Sequence, residues 1–274
     1  MLRMMYYTVL ISSLFGLRMS KVYLSAIAVS ATLFFSSPAL SDQADTANDQ
    51  LLDNRQCVIL LHGLSRTSRS MGKMEHALLS AGYTTANIDY PSRTMKIQDL
   101  TTLAGTEGVN QCRQTGASTI HFVTHSMGGI LARYYLAKNN LPELGHLVQL
   151  APPNKGSLFV DIYRKEQWYK WLTGPAGQQL GTGKDGIPGL LGDVVYSTGV
   201  IAGDEHSPID NWMAEIIPGA DDGKVSVEHA KVDGMTDFIV LPYNHISIMK
   251  EDVVISETLH YLSKGRFNHP ASSN

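Results

Sequence analysis

One serine stands out because the residues around it would leave its hydroxyl group exposed on a tight turn. Ser126 follows an apolar run at residues 119–123 and precedes a pattern typical of a helix at residues 127–137. A strand, a sharp turn and a helix in this order form a nucleophile elbow, which presents a serine for attack on a carbonyl carbon. Thr124 stands where the G-x-S-x-G pattern has its first glycine. A buried structural serine is therefore the alternative interpretation.

A serine hydroxyl becomes a useful nucleophile only when a neighbouring base accepts its proton. Among the ten histidines, His245 follows the apolar run at residues 238–241 and precedes the last helical pattern. It therefore lies at the carboxyl end of a predicted strand, where the functional groups of open α/β sheets gather. His62 and His125 lie at the same edge, but each falls within a loop that forms a turn. The sequence predicts His245 as the base, with His229 as the alternative.

The base in turn requires an acid that holds its imidazole ring in the productive orientation. In proteins built on a nucleophile elbow, this acid lies between the serine and the histidine along the chain. Asp222 is the preferred candidate, because Gly223 lets the backbone turn sharply and direct the carboxylate inward. Asp221 is the near alternative, and Asp204 is a more distant one.

The negative charge that develops on the attacked carbonyl oxygen requires two fixed hydrogen-bond donors. The backbone N–H of Met127 is the first candidate, because this residue opens the helix after the serine. The second donor is expected from the loop after the first strand, where Gly63 lets the backbone approach the reacting centre. In that loop the candidate is the backbone N–H of Leu64.

The elements that must position these groups alternate between strands and helices. Strands are predicted at residues 58–61, 84–88, 119–123, 146–150, 194–202 and 238–241, with an interruption of the fifth at Gly199. Helices are predicted at residues 70–81, 97–114, 127–137 and 253–262. This alternation predicts an α/β fold with a mostly parallel sheet of about six strands and helices on both faces. Residues 155–193 break the rhythm and are expected to form a lid, a binding wall or a surface decoration.

Taken together, these motifs resemble those of the α/β-hydrolase superfamily, and among its members the compact bacterial lipases and esterases. The resemblance covers about residues 57–262 and rests on Leu60-Leu61-His62-Gly63-Leu64, Thr124-His125-Ser126-Met127-Gly128-Gly129, Asp222-Gly223-Lys224-Val225 and Asn244-His245. It implies an α/β-hydrolase fold with Ser126 as nucleophile, His245 as base and Asp222 as acid. It also implies an oxyanion hole formed by Leu64 and Met127.

The resemblance further implies cleavage of carboxylic esters through an acyl-enzyme. Thioester cleavage and acyl transfer are the alternatives, because the same three residues serve all of these reactions. A protein that kept the hydrolase fold for binding and lost its activity is the alternative from another class. No cofactor is expected. No metal is expected either, because His245-Ile246-Ser247 lacks the aspartate with which some secreted bacterial lipases hold calcium.

The family's strand order also bears on the two cysteines. It places the first predicted strand beside the third, so that Cys57 and Cys112 fall at the edge of the sheet opposite the proposed site. We therefore expect a disulfide between Cys57 and Cys112, as an oxidising compartment allows. Two separate buried thiols are the alternative.

The amino terminus has the parts of a secretory signal peptide. Arg18 and Lys21 precede an apolar run at residues 22–35, which ends in small residues before Ser41. We expect a signal peptide at residues 1–41, with Met19 as an alternative start, and a periplasmic or secreted protein. An uncleaved membrane anchor is the alternative. An entry segment at 42–56, a hydrolase domain at 57–264 and a disordered tail at 265–274 complete the predicted organisation.

The composition restricts the partners. The chain carries a formal net charge of −3 and has no run rich in Lys or Arg, which argues against nucleic-acid binding. The expected partner is a small-molecule or lipid ester, with transient contact with a membrane surface. The sequence predicts no oligomeric state.

Overall fold

A computed structural model describes residues 55–207 and 217–269 of the 274-residue chain. Its six strands form one sheet in the order β2-β1-β3-β4-β5-β6, and every neighbouring pair is parallel. The strands are β1 (Gln56–Leu61), β2 (Thr84–Ile88), β3 (Thr119–His125), β4 (Leu144–Leu150), β5 (Thr198–Gly203) and β6 (Asp237–Leu241). The predicted α/β class with a parallel sheet of about six strands is confirmed. The predicted signal peptide lies outside the described residues.

Eight α-helices connect or follow the strands in the described part of the chain. They are α1 (Gly72–Ser80), α2 (Ile97–Gln114), α3 (Met127–Lys138), α4 (Leu158–Tyr163), α5 (Gln167–Gly177), α6 (Ile187–Leu190), α7 (Val227–Ala230) and α8 (Asp252–Lys264). Within the described ranges, no helix has the length and apolar character needed to cross a membrane.

Strand β1 shows why its sequence is a continuous apolar run. Successive residues of a strand point to opposite faces of the sheet. Cys57, Ile59 and Leu61 pack in a core cluster with α2 and α3, whereas Val58 and Leu60 pack with α1 and α8. Both faces are therefore covered by helices, and all five side chains are buried. This arrangement is typical of a parallel sheet in an α/β protein.

Two predicted elements differ from the structure. The predicted helix at 70–81 is divided, since a 3-10 turn at Ser68–Met71 precedes α1. The predicted fifth strand at 194–202 begins only at Thr198, because the backbone N–H of Val194 donates to Asp233 outside the sheet. Gly199 lies within the strand and does not interrupt it. A Cβ at this position would lie 2.4 Å from the ring of Tyr261, so the glycine makes room for that ring.

The prediction of a disordered tail from residue 265 is wrong for residues 265–269. The Phe267 side chain is only 2% exposed and packs against the Tyr261 ring at a centroid distance of 4.7 Å. The Phe267 backbone N–H and the His269 side chain each contact the Asp237 carboxylate at 2.8 Å. The ordered chain therefore extends beyond α8 because it covers the start of β6. Residues 270–274 lie outside the described residues.

Cys57 and Cys112 form a disulfide, as the sequence predicts. Their Cα atoms are 5.6 Å apart, and 55 positions separate them along the chain. Cys57 lies at the start of β1, and Cys112 lies in the last turn of α2. The bond therefore joins strand and helix at the amino-terminal edge of the sheet, away from the residues that follow the strands.

A histidine in β3 is held as a structural hydrogen-bonding group. The Nδ1 atom of His121 accepts from the backbone N–H of His146 at 2.9 Å. Its proton therefore lies on Nε2, which donates to the Gln56 side-chain oxygen at 3.0 Å. Burial, together with the neighbouring His146, lowers the pKa of His121 to about 4. The folded protein thus keeps this ring neutral.

This low pKa predicts a loss of stability in acid. In the unfolded chain His121 has its ordinary pKa of 6.5, so the unfolded state binds a proton that the folded state excludes. We expect the free energy of unfolding to fall as the pH decreases from about 6.5 towards about 4, and the difference between the two pKa values corresponds to a loss of about 3 kcal/mol. Denaturant unfolding across this range measures the effect. A His121→Gln variant should show a shallower pH dependence, and an unchanged one would contradict the assignment.

Candidate active site

Ser126 lies between β3 and α3 in a strained backbone conformation. Its φ of 54° and ψ of −123° fall in a region that residues other than glycine rarely adopt. The backbone N–H of Ser126 donates to the Leu150 carbonyl at 2.9 Å, and the Ser126 carbonyl accepts from the N–H of Gly129 at 2.9 Å. These bonds fix the turn on both sides, which is the geometry of a nucleophile elbow.

The threonine that departs from the usual motif has its own hydrogen-bond partner. Thr124 is fully buried, and its hydroxyl group donates to the Val148 carbonyl of the neighbouring strand at 3.3 Å. Close packing explains the glycine on the other side of Ser126, because a Cβ at Gly128 would lie 2.4 Å from the Leu61 carbonyl oxygen. The loop after β1 therefore lies directly against the start of α3.

Ser126, His245 and Asp222 form one continuous row of hydrogen-bonding groups. The His245 Nε2 atom lies 3.0 Å from the Ser126 Oγ atom, and the His245 Nδ1 atom lies 2.7 Å from the Asp222 Oδ2 atom. The backbone N–H of His245 also donates to the Asp222 carbonyl at 2.9 Å. All three residues are buried. The structure thus brings together the three side chains that the sequence singles out.

The loop after β5 orients the Asp222 carboxylate. Its Oδ1 atom accepts from the backbone N–H groups of Lys224 and Val225 at 3.0 and 2.8 Å. Gly223, between Asp222 and Lys224, has a φ of 93°, a left-handed conformation that favours glycine. One carboxylate oxygen is therefore bound by the turn, while the other is directed at His245.

The alternatives for the acid and the base lie elsewhere. The Asp221 Oδ1 atom is 2.6 Å from the His206 Nε2 atom, so this carboxylate is directed at a different histidine. Asp204 is exposed. His229 Nδ1 lies 2.6 Å from the Ser226 hydroxyl group at the start of α7. None of these candidates borders the cavity into which Ser126 opens.

The loop after β1 reaches the side of Ser126. A Cβ at Gly63 would lie 3.2 Å from the Ser126 Cβ atom, so the bare backbone permits this approach. Leu64 borders the same cavity as Ser126. Met127 is the first residue of α3, and its side chain is buried in the core. The predicted pair of backbone donors therefore belongs to two segments that meet at the serine.

His62 holds this loop in place. Its Nδ1 atom lies 2.9 Å from the Gly63 carbonyl, and its Nε2 atom lies 3.4 Å from the backbone N–H of Tyr90. A carbonyl only accepts and an N–H only donates, so the neutral ring carries its proton on Nδ1. The ring also stacks on Tyr90, and the Tyr90 hydroxyl group donates to the His62 carbonyl. Burial lowers the pKa of His62 and so favours this neutral form.

His125, beside the serine, supports the loop that carries His245. Its Nε2–H group donates to the His245 carbonyl at 3.0 Å. Burial is the main cause that moves the pKa of His125 well below its ordinary value, with a further contribution from His245. The ring is therefore neutral, and it positions the backbone of His245 without lying in the row of hydrogen bonds to Ser126.

Ser126 and His245 border a cavity of about 500 Å³. One wall is apolar and largely aromatic, and it consists of Phe159, Val160, Trp168, Tyr169, Leu172 and Leu180. These residues belong to α4, α5 and the segment that follows them. The 155–193 segment, which interrupts the regular alternation of strands and helices, therefore contributes the apolar wall of this cavity.

Two cations that were not predicted from the sequence also line the cavity. Arg66 follows Leu64 by two residues, and Lys224 follows Asp222 by two residues. Their positions next to predicted site residues were the only available signal. In the ranges that the structure describes, no group of three or more His, Cys, Asp or Glu side chains could hold a metal ion.

No protein-family model and no curated protein sequence matches the chain. Solved structures do resemble it. A lipase from Bacillus licheniformis, BlEst2 in its mature form, has a TM-score of 0.64 at 19% sequence identity, with 76% of this chain and 92% of the lipase covered. Phospholipase PlaB from Legionella pneumophila has a TM-score of 0.59 at 18% identity, over 77% of this chain and 58% of PlaB.

A third similar structure is the metagenomic carboxyl esterase MGS0156, with a TM-score of 0.53 at 15% identity, over 72% of this chain and 66% of the esterase. Identities this low carry information about the fold alone. The parallel six-stranded sheet and the strand-turn-helix at Ser126 agree with that likeness. The protein therefore has the α/β-hydrolase fold.

Proposed function

We propose that the protein is an exported serine hydrolase that cleaves carboxylic esters. The observation that carries this proposal is the unbroken row from Asp222 through His245 to Ser126, with distances of 2.7 and 3.0 Å. The lipases, phospholipase and esterase of similar fold support the same reaction class. A structural serine would not require a buried histidine and a buried carboxylate aligned in this way.

In the proposed mechanism, the Ser126 hydroxyl oxygen attacks the ester carbonyl carbon while His245 Nε2 accepts its proton. Asp222 fixes the imidazole tautomer and stabilises the imidazolium, and it does not take the proton. The backbone N–H groups of Leu64 and Met127 stabilise the oxyanion of the tetrahedral intermediate. His245 then protonates the leaving alcohol. Water, deprotonated by His245, attacks the acyl-enzyme and releases the acid and the free serine.

The cavity supports esters with an apolar acyl chain. Its aromatic wall offers contact with hydrocarbon, and its volume of about 500 Å³ falls within the range of small-ligand sites. A series of para-nitrophenyl esters of increasing acyl length, assayed beside the matching thioesters, would separate ester cleavage from thioester cleavage. Adding an alcohol acceptor and analysing the products would detect acyl transfer.

A fluorophosphonate probe tests the proposed nucleophile directly. We expect the native protein to form one covalent adduct, because the probe phosphonylates serines activated by a histidine. Peptide mass spectrometry should locate the adduct on Ser126. The absence of labelling in the native protein, or equal labelling of Ser126→Ala, would reject the hydrolase in favour of a binding protein.

We also propose export to an oxidising compartment, for which the Cys57–Cys112 disulfide is the structural support. Release from a signal peptide is favoured over retention by an uncleaved anchor. Sequencing the amino terminus of the exported protein distinguishes the two, since cleavage after Ser41 removes the apolar segment.

Contact with a membrane surface is supported by apolar side chains exposed on α4 and α5. Ile162, Trp168 and Trp171 are 48%, 47% and 76% exposed. We expect Trp171→Ser to lower the fraction of protein that sediments with lipid vesicles by several-fold, because a tryptophan buries a large apolar surface in the interface. Leu79→Ser on α1, 52% exposed in the native chain, is the control. Equal sedimentation of both variants and the native protein would contradict this contact.

A further inference from the structure

We propose that the alcohol part of the substrate carries a phosphate group and that Arg66 binds it. The proposal rests on the ester hydrolase function above and narrows its substrate class. It follows from the charge of the catalytic cavity, from the way in which Arg66 is held there and from a second cavity that Arg66 also borders.

The catalytic cavity has the opposite charge to the chain as a whole. The chain carries a formal net charge of −3, yet the described residues that line this cavity include Arg66 and Lys224 and no Asp or Glu. Cations at a concave site with apolar walls produce a stronger positive potential than they would on an open surface. The cavity therefore favours anionic ligands over neutral ligands of the same shape.

Arg66 has no acidic partner in the described part of the chain, where none of the ion pairs includes it. Its charge also contributes to the low pKa of the buried His125 ring, which places the guanidinium near the site. A guanidinium presents parallel N–H donors that match the oxygens of a phosphate group. Arg66 is therefore available to bind an anion beside Ser126.

The backbone before Arg66 is strained and held from two sides. Ser65 has a φ of 56°, a conformation that is uncommon for residues other than glycine. The Ser65 N–H donates to the Ser92 hydroxyl group at 3.1 Å, and the Ser65 hydroxyl group donates to the Leu172 carbonyl at 2.9 Å. Backbone strain of this kind is often found at ligand sites. Here it fixes the direction in which Arg66 leaves the loop.

A second cavity, of about 360 Å³, shares Arg66 with the catalytic cavity. Its other polar residues are Thr67, Asp89, Tyr90, Ser92, Arg93 and Thr94. The Arg93 guanidinium donates to the Trp171 carbonyl at 3.1 Å and lies over the Trp171 ring. Asp89 is the only acid among the described residues of this lining, and its Oδ1 atom accepts from the Ser68 N–H at 2.9 Å. The described lining of this cavity therefore contains two arginines, three Ser or Thr hydroxyl groups and one carboxylate.

The two cavities together fit an ester of a glycerol phosphate. With the ester carbonyl at Ser126, the acyl chain lies against the aromatic wall of the first cavity. The alcohol part then extends into the second cavity, where Arg66 binds the phosphate oxygens together with Arg93 and the hydroxyl groups. Arg66 is thus a specificity-determining residue that touches the substrate on the side away from the acyl chain.

The test compares three soluble short-chain substrates, dibutyryl phosphatidate, dibutyryl phosphatidylcholine and dibutyrylglycerol, on the mature protein. We expect kcat/KM for the two phosphate esters to exceed that for dibutyrylglycerol at least about tenfold, because a site built for a polar group discriminates against the analogue that lacks it. Arg66→Gln should bring the ratio close to one, and Arg66→Lys should restore part of it. Glycerol phosphate should inhibit hydrolysis of para-nitrophenyl butyrate competitively in the native protein.

Arg69→Gln is the matched control, because Arg69 is exposed on the 3-10 turn at Ser68–Met71 and borders neither cavity. A native protein that cleaves para-nitrophenyl butyrate but does not prefer either phosphate ester would overturn the present proposal and leave the ester hydrolase function standing. A preference that survives in Arg66→Gln would overturn the role of Arg66. A protein that hydrolyses none of these esters would overturn the ester hydrolase function itself.

Discussion

Replacing Ser126 with alanine should lower kcat for ester hydrolysis by roughly a million-fold, which is the scale seen when a serine hydrolase loses its nucleophile. The reason is that no other hydroxyl group of the described residues lies in the row formed by His245 and Asp222, so that no acyl-enzyme can form. The rate is measured with a para-nitrophenyl ester at saturating concentration. Circular dichroism and thermal unfolding establish that the variant keeps its fold.

The same experiment has an internal control in the double variant. Ser126 and His245 act as one unit, so Ser126→Ala combined with His245→Ala should be no slower than Ser126→Ala alone. A further loss in the double variant would mean that His245 promotes another reaction path. If Ser126→Ala kept activity within tenfold of the native protein, Ser126 would not be the nucleophile.

The second large effect is expected at the acid. Asp222→Asn should lower kcat by about 10⁴-fold, because an amide in place of the carboxylate favours the wrong tautomer of His245. The Asn side chain would have a similar size, and its oxygen could still accept from the N–H groups of Lys224 and Val225. The loss should therefore appear in kcat, with little change in the temperature of unfolding.

Asp221→Asn is the matched control for this substitution. Both aspartates are buried and adjacent in sequence, but Asp221 contacts His206 and the backbone N–H of Gly223. We expect a much smaller effect on kcat, because Asp221 does not contact His245. If Asp221→Asn were the slower variant, the acid would be Asp221.

Ser126 and His245, two of the side chains that meet at the candidate site, could be proposed from the sequence because each follows a recognisable strand. The apolar runs of β3 and β6 precede Ser126 and His245, and parallel strands bring their carboxyl ends to one edge of the sheet. Thr124 could not be interpreted from its position alone. Its hydroxyl group is satisfied by the carbonyl of Val148, a contact that exists only once β3 and β4 are paired.

Contacts between distant segments account for what the sequence analysis missed. Gly223 favours Asp222 over Asp221 in the sequence, but Asp221 stays open as an alternative until the fold directs the Asp222 carboxylate at His245 and the Asp221 carboxylate at His206. Phe267 follows the last helix as a single aromatic residue, and its burial depends on the space beside Gly199. Arg66 acquires its position from the bonds that Ser65 makes with Ser92 and with Leu172 in α5.

The Cys57–Cys112 bond also affects the outermost strand on one side of the sheet. Strand β2 is the outermost strand on one side of the described sheet, where it pairs with β1. An outermost strand is the element most readily exchanged between molecules. Because the chain between the two cysteines includes all of β2, the oxidised protein holds this strand inside a closed covalent ring. Because the bond ties β1 to the end of α2, the segments on both sides of β2 stay together, so we expect oxidation to hinder the exchange of β2 with a second copy.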